Sequence, residues 1–189
     1  MYYEQGGIPM RKTILNQLVI SWLLIVVLLM SATPVVAAGL TESEIQDLVF
    51  IREEEKLARD VYDALRLRWG SRVFSNIESS EQTHMDAIKG LLDKYGIPDP
   101  AEGRGYGEFA NADLQELYDT LVERGSRSLV EAYRVGILIE ETDIRDLLEA
   151  MERSSHVDIK TVYGNLLRGS QNHLKAFSSH LGSQGIVIE

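Results

Sequence analysis

The most informative segment of the chain reads IESSEQTHMDAIKGLLDKY and runs from Ile77 to Tyr95. Its isoleucines and leucines repeat at helical spacing and define the apolar stripe of an amphipathic helix. Glu81 and His84 fall on that same stripe, where a leucine or isoleucine would be expected. Because an unpaired buried carboxylate is costly, the pattern predicts that Glu81 is paired with another group, protonated or bound to a cation.

Three further segments show the same helical repeat, and no segment shows the alternation typical of strands, so the sequence predicts an all-α fold. Together the helices form one four-helix domain over residues 40–183. Thr41 and Asp158 are the expected N-caps of the first and last helices. The predicted long helices run from about 42 to 67, from about 75 to 95, from about 128 to 152, and from 159 to about 181.

The connection between the second and third long helices is unusually long. Residues 96–111 are rich in proline and glycine and carry two aromatic residues, Tyr106 and Phe109. Asn111 then caps a short amphipathic helix that ends at Gly125. A connection of this length predicts a crossover, which makes the second and third long helices parallel.

Each predicted long helix carries at least one potential metal ligand in its apolar stripe. Four such interruptions at comparable depth predict convergence on one interior site. Gly136, one turn before Glu140, favours Glu140 over Glu141 because it leaves room beside that side chain. The run Glu53-Glu54-Glu55, taken alone, would predict a solvated face. The candidates are Glu54 or Glu55 in the first helix, Glu81 and His84 in the second, Glu140 or Glu141 in the third, and His173 in the fourth.

Composition limits the partners and the chemistry. The 189 residues include 29 acidic and 19 basic side chains, for a formal net charge of -10, and no cysteine. Such an acidic surface disfavours nucleic acid and anionic membranes as partners and tolerates cations. The lack of cysteine excludes disulfides and thiolate sites, so a metal must be bound through nitrogen and oxygen, which suits iron, manganese or zinc.

The first 38 residues have the organisation of a signal peptide. Arg11 and Lys12 precede an apolar run, residues 18–30, which is shorter than a membrane-spanning helix requires. We therefore expect export to the cell envelope or beyond, with residues 1–38 removed; the alternative is an N-terminal membrane anchor. If translation starts at Met10, the preceding nine residues are a start-site artefact.

Several segments resemble the metal-ligand motifs of ferritin-like proteins. Glu55, followed seven residues later by Tyr62, is similar to the first-helix motif of rubrerythrins and bacterioferritins. That similarity favours Glu55 over Glu54 and implies that Tyr62 lies near the metals. Tyr62 is then the candidate catalytic residue, against the alternative of a core tyrosine whose hydroxyl is hydrogen-bonded. Segments 52–60, 80–85, 139–141 and 169–174 together resemble an uncharacterised ferritin-like family of exported prokaryotic proteins, a domain of unknown function.

The resemblance implies a ferritin-like four-helix bundle, with the extra short helix in the crossover, that holds two iron ions; manganese and zinc are alternatives. Glu81 and the glutamate of the third helix would bridge the ions. The chain departs from the full pattern at Ser170, where a glutamate would be expected three residues before His173. Asp143 could compensate in part, although its spacing also fits a solvated side chain.

The function implied by the resemblance is an oxidoreductase of ferroxidase or peroxidase type, with metal ions and oxygen or peroxide as partners. Two alternatives are a non-enzymatic binding module, whose contacts come from the loop with Tyr106 and Phe109, and a metal chaperone. In the binding module, the polar core is either vestigial or a metal-free hydrogen-bonded network. The sequence does not identify an electron donor, and a homodimer is possible.

Overall fold

The computed structural model describes residues 39–184, and within them the chain forms five α-helices and no strand. The all-α prediction is therefore confirmed. The predicted signal peptide lies outside the described residues. Among the helices that are described, none is both long enough and apolar enough to cross a membrane. The helices are α1 (Glu42–Trp69), α2 (Arg72–Tyr95), α3 (Ala112–Gly125), α4 (Leu129–Arg153) and α5 (Val157–Ser183).

The long helices pack in antiparallel pairs. Short turns join α1 to α2 and α4 to α5, and each of these pairs packs along its length. Helix α1 is also antiparallel to α4, because Asp47 near the start of α1 pairs with Arg153 at the end of α4, at 2.9 Å. Likewise Lys94 at the end of α2 pairs with Asp158 at the start of α5, at 2.7 Å. Each long helix therefore contacts two of the other three.

The helix N-termini follow from local sequence except in α2 and α5. Helix α2 begins at Arg72 instead of near residue 75, and its N-cap Ser71 makes no side-chain capping hydrogen bond. Thr41 caps α1 as predicted, and Glu44 completes a capping box in which Thr41 N donates to Glu44 Oε2 at 2.9 Å. The predicted cap at Asp158 is wrong, because α5 begins at Val157 with His156 in the N-cap position. An aspartate in the first turn is favoured by the helix dipole as well as at the cap, so the sequence pattern did not distinguish the two positions.

The long connection, residues 96–111, covers a face of α1 that lies outside the apolar stripe of that helix. Lys56 donates to Gly105 O at 2.7 Å and pairs with Asp60 at 2.5 Å, and Lys56 is only 1% exposed. Glu53 accepts from Ala110 N at 2.5 Å. The run of three glutamates is therefore buried, not solvated. The connection provides partners for Glu53, whereas Glu55 contacts His84 of α2 and Glu54 lies beside residues of α3 and α4.

The apolar core consists of two clusters separated along the bundle. One cluster contains Tyr62, Phe74 and Phe177, and the other contains Leu48 and Ile88. On every long helix, the polar residue that interrupts the stripe lies in sequence between the residues of the two clusters. The polar side chains therefore form a layer in the middle of the bundle, shielded from water on both sides.

Candidate metal centre

The polar layer brings together side chains from all four long helices. None of them is more than 8% exposed, and each comes from the helix on which the sequence predicted a ligand. The residues that converge are Glu55 from α1, Glu81 and His84 from α2, Glu140 from α4 and His173 from α5.

These five side chains form two overlapping groups. The first triad is Glu55, Glu81 and His84, and the second triad is Glu81, Glu140 and His173. In each triad, one nitrogen or oxygen atom per residue lies within 4.8 Å of the others, a spacing that could hold a metal ion. Glu81 belongs to both triads, so its two carboxylate oxygens face two adjacent positions.

The contacts within the triads are short and use the same imidazole atom in each histidine. His84 Nδ1 lies 2.8 Å from Glu81 Oε2 and 3.1 Å from Glu55 Oε2. His173 Nδ1 lies 2.8 Å from Glu81 Oε1 and 3.5 Å from Glu140 Oε2. The two imidazole rings stack with their centroids 5.5 Å apart. Both Nδ1 atoms are thus directed at the shared carboxylate of Glu81.

Several of these buried atoms have no hydrogen-bond partner among the described residues. They include Glu55 Oε1, Glu81 Oε1 and His173 Nδ1. The last two lie only 2.8 Å apart, but their orientation does not meet the geometry of a hydrogen bond. Buried polar atoms without partners are rare and unfavourable in proteins. Because these atoms are nitrogen and oxygen donors that face one another, the residues fit a bound cation.

The electrostatics of the metal-free centre depend on Glu81. Burial alone would raise the pKa of Glu81, but His173 and His84 lower it to about 2. Burial lowers the pKa of each histidine, but the adjacent carboxylates outweigh it and raise the pKa of His84 to about 11 and of His173 to about 9. Without metal, the histidines therefore favour the ionised form of Glu81, and the carboxylates favour the protonated form of both imidazoles.

The metal-free protein is expected to lose stability as pH rises from 6.5 towards 9. The pKa of His173 rises from 6.5 to about 9 on folding, and that of His84 to about 11. In this range the folded chain holds protons that the unfolded chain releases, so the stabilisation present below pH 6.5 declines as pH rises through the folded values. Urea unfolding at both pH values, with a chelator present, measures the change. The loss should be smaller in Glu81→Gln, and an equal loss in both proteins would contradict the prediction.

Tyr62 fixes the position of Glu140. The tyrosine is fully buried, and its hydroxyl donates to Glu140 Oε1 at 2.6 Å. Its ring packs against Phe177, with centroids 5.2 Å apart. Burial, with Glu81 adding repulsion, raises the pKa of Glu140 to about 8. Tyr62 therefore contacts a candidate ligand and orients it.

Glu141 is not among the residues that the structure brings together. It is exposed, because successive residues on a helix point about 100° apart and Glu141 is thereby turned away from the face that carries Glu140. Gly136 does provide room, but Phe177 fills it: a Cβ atom at Gly136 would meet the Phe177 ring at 2.7 Å. Between the two glutamates that the sequence left open, the centre contains Glu140.

Asp143 is the residue of the centre that sequence reasoning undervalued. It is 6% exposed, not solvated, and it accepts a hydrogen bond from Ser170 Oγ. Burial raises the pKa of Asp143 to about 7, although the hydrogen bond from Ser170 opposes the shift. Asp143 thus places a carboxyl group beside the position where the full ferritin-like pattern has a glutamate. Its spacing three residues after Glu140 suggests this partial compensation, but the same spacing also fits a solvated side chain.

Comparison with known proteins connects the chain to proteins without a described activity. A family model described as an uncharacterized protein domain, DUF2202, matches residues 44–189. The uncharacterized protein MJ0754 of Methanocaldococcus jannaschii is 49% identical over 146 residues, which cover 77% of this chain and 79% of the relative.

A solved structure is also similar. The crystal structure of hypothetical protein MJ0754 from Methanococcus jannaschii superposes with a TM-score of 0.78 at 48% sequence identity. The match covers 79% of this chain and 86% of the other. None of these descriptions states a ligand or a reaction.

Proposed function

Since this chain belongs to the uncharacterized domain family DUF2202, whose description states no activity, we propose a function from its buried centre: the protein binds a carboxylate-bridged pair of metal ions, iron foremost among them. The observation that carries the proposal is the pair of triads that share Glu81. The donor set is carboxylate and imidazole, which suits iron, with manganese or zinc as alternatives.

The chain's residues divide between two metal positions in this proposal. Glu81 would bridge them, since each of its oxygens faces one histidine at 2.8 Å. Glu55 and His84 would complete the first position, and Glu140 and His173 the second. The unpartnered atoms at Glu55, Glu81 and His173 support this assignment, because cations at the two positions would satisfy all of them.

We also propose that the domain is ferritin-like. Helix α1 is antiparallel to both α2 and α4, which implies that α2 and α4 run parallel. Residues 96–128 would then form the crossover between them, with α3 inside it. A carboxylate and histidine cluster in the middle of such a bundle is the arrangement that ferritin-like di-iron proteins use.

Residues around the triads are placed to hold the ligands in position. Tyr62 donates to Glu140, and His173 Nε2 lies 2.9 Å from Ser80 Oγ, a contact that orients the imidazole ring. The two apolar clusters exclude bulk water from the layer. A bound pair of ferrous ions would supply two electrons, enough to reduce oxygen to peroxide or peroxide to water, so the proposed reaction class is an oxidoreductase of ferroxidase or peroxidase type.

The opposing hypothesis is a metal-free polar network that only stabilises the bundle. The ion pairs of Glu81 with His84 and His173 support it, since they neutralise part of the buried charge. The unpartnered atoms argue against it, because a network selected for structure alone would be expected to satisfy them. Export through the N-terminal segment stays a prediction and is independent of this choice.

Metal loading of the full chain tests the proposal. The protein is loaded anaerobically with ferrous iron, analysed for metal content, and then exposed to oxygen while oxygen consumption is recorded. About two ions per chain with oxygen consumption are expected. Two ions without consumption would assign the protein a binding or chaperone role. No bound metal in a folded helical protein would reject the proposal in favour of a scaffold.

A matched pair of variants sharpens this experiment. Glu140→Ala should lower the content to about one ion per chain, because it removes a carboxylate from the second triad only. Glu141→Ala, one residue further along, should leave the content at that of the unaltered protein, because Glu141 is exposed. Equal losses in both variants would show that the triads do not hold the metal.

A further inference from the structure

A cavity lies outside the bundle interior, between α1, α3 and α4, with a volume of about 130 Å³. Its walls are mainly leucines contributed by all three helices, including Leu57 from α1, Leu121 from α3 and Leu138 from α4. Leu138 is 41% exposed and Leu117, also in the lining, is 38% exposed. These two residues therefore mark the mouth of the cavity.

Glu54 is the one acidic side chain in this lining. It is only 6% exposed, and its Oε2 has no hydrogen-bond partner among the described residues. Its neighbours in the sequence differ: Glu53 accepts from backbone amides of the long connection, and Glu55 contacts His84. Because an unsatisfied buried acceptor is unfavourable, a ligand that supplied a hydrogen bond to Glu54 would gain affinity.

Size and charge limit what the cavity can hold. Protein cavities of about 150 Å³ with apolar walls bind benzene, so this one accepts a molecule of about that size. Asp143 and Asp146 add negative charge close to Glu54, and Arg145, which pairs with Asp146, offsets only part of it, so an anion is disfavoured. A cation would lose its hydration among the leucines. A neutral molecule with a single polar group satisfies all of these conditions.

We propose that this cavity binds a neutral, benzene-sized molecule that carries one hydroxyl group, with Glu54 as its hydrogen-bond partner. A hydroxyl can donate to a carboxylate or accept from a carboxyl group, so the match holds in either protonation state. The apolar ring or chain fills the space between the leucines. The site is separate from the two triads and needs no bound metal.

Phenol and benzene form a matched pair of probes, because they differ by one hydroxyl group. Each is titrated into the full chain with a chelator present, and the leucine methyl resonances are followed by NMR. We expect saturable phenol binding that shifts the methyl signals of Leu57 and Leu121. Glu54→Leu should weaken phenol binding about tenfold relative to benzene, because it removes the hydrogen bond and keeps the apolar walls.

Two further variants keep the test decisive if Glu54→Leu does not fold. Glu54→Gln retains shape and hydrogen-bonding capacity and should still bind phenol more tightly than benzene. Leu138→Trp narrows the mouth at an exposed position and should weaken both probes. Absence of saturable shifts, or equal loss of both probes in Glu54→Leu, would overturn the proposal. A dimer that buries Leu138 would also overturn the proposal, because a second copy of the chain would then occupy the mouth of the cavity. Sedimentation of the full chain would detect such a dimer.

Discussion

Replacing Glu81 with alanine is expected to abolish binding of both metal ions. Glu81 is the only residue common to the two triads, and its oxygens lie 2.8 Å from Nδ1 of His84 and of His173. Loss of a supporting residue outside the ligand set already costs a metal site 10- to 100-fold in affinity, so loss of the carboxylate proposed to bridge the ions should cost more than about 100-fold. Metal titration of the full chain, followed by calorimetry, measures this loss.

The fold should survive the Glu81→Ala substitution. The two apolar clusters do not involve Glu81, and without it the histidines can become neutral as their pKa values fall back towards 6.5. A helical circular dichroism spectrum equal to that of the unaltered protein serves as the control. Retention of both ions in the folded variant would show that Glu81 is not the bridge.

Replacing Gly169 with alanine is expected to displace His84 and disrupt the first triad. A Cβ atom at Gly169 would lie 2.4 Å from Nε2 of His84, closer than any real contact, so the imidazole must move. Its Nδ1 would then leave the carboxylates of Glu55 and Glu81, now 3.1 and 2.8 Å away. Overpacking of this kind destabilises proteins by about 1–3 kcal/mol. Metal content should fall to about one ion per chain, because the second triad is retained.

Gly164 provides the matched control for Gly169. Both are glycines within α5, but the nearest atom to a Cβ at Gly164 is Met151 Cε, at an ordinary 3.9 Å. Gly164→Ala should therefore stabilise the protein by about 0.5–1 kcal/mol, through the higher helix propensity of alanine, with metal binding unchanged. Thermal unfolding compares the two variants. If both behave alike, the contact between Gly169 and His84 does not govern the centre.

Much of the candidate centre was predictable from spacing alone. Glu81 and His84 interrupt an apolar stripe at positions three residues apart, and such positions share one helix face. The structure brings both to the centre with His173, another interruption of a stripe. Glu55 could be chosen over Glu54 only through the resemblance at Tyr62, because both glutamates fall within the stripe of α1. Spacing could not choose between Glu140 and Glu141 for the same reason.

The sequence by itself determined the helices, because the 3.6-residue repeat and the caps at Thr41 and Asn111 are local signals. It also identified Glu81, His84 and His173 as polar residues on buried faces. Only the tertiary structure decided that Glu81 serves two triads, that Asp143 is buried against Ser170, and that Lys56 is covered. The physical reason is that a periodic apolar stripe in the sequence identifies only one buried face of each helix. What covers the other faces depends on contacts with residues distant in sequence, which no local pattern contains.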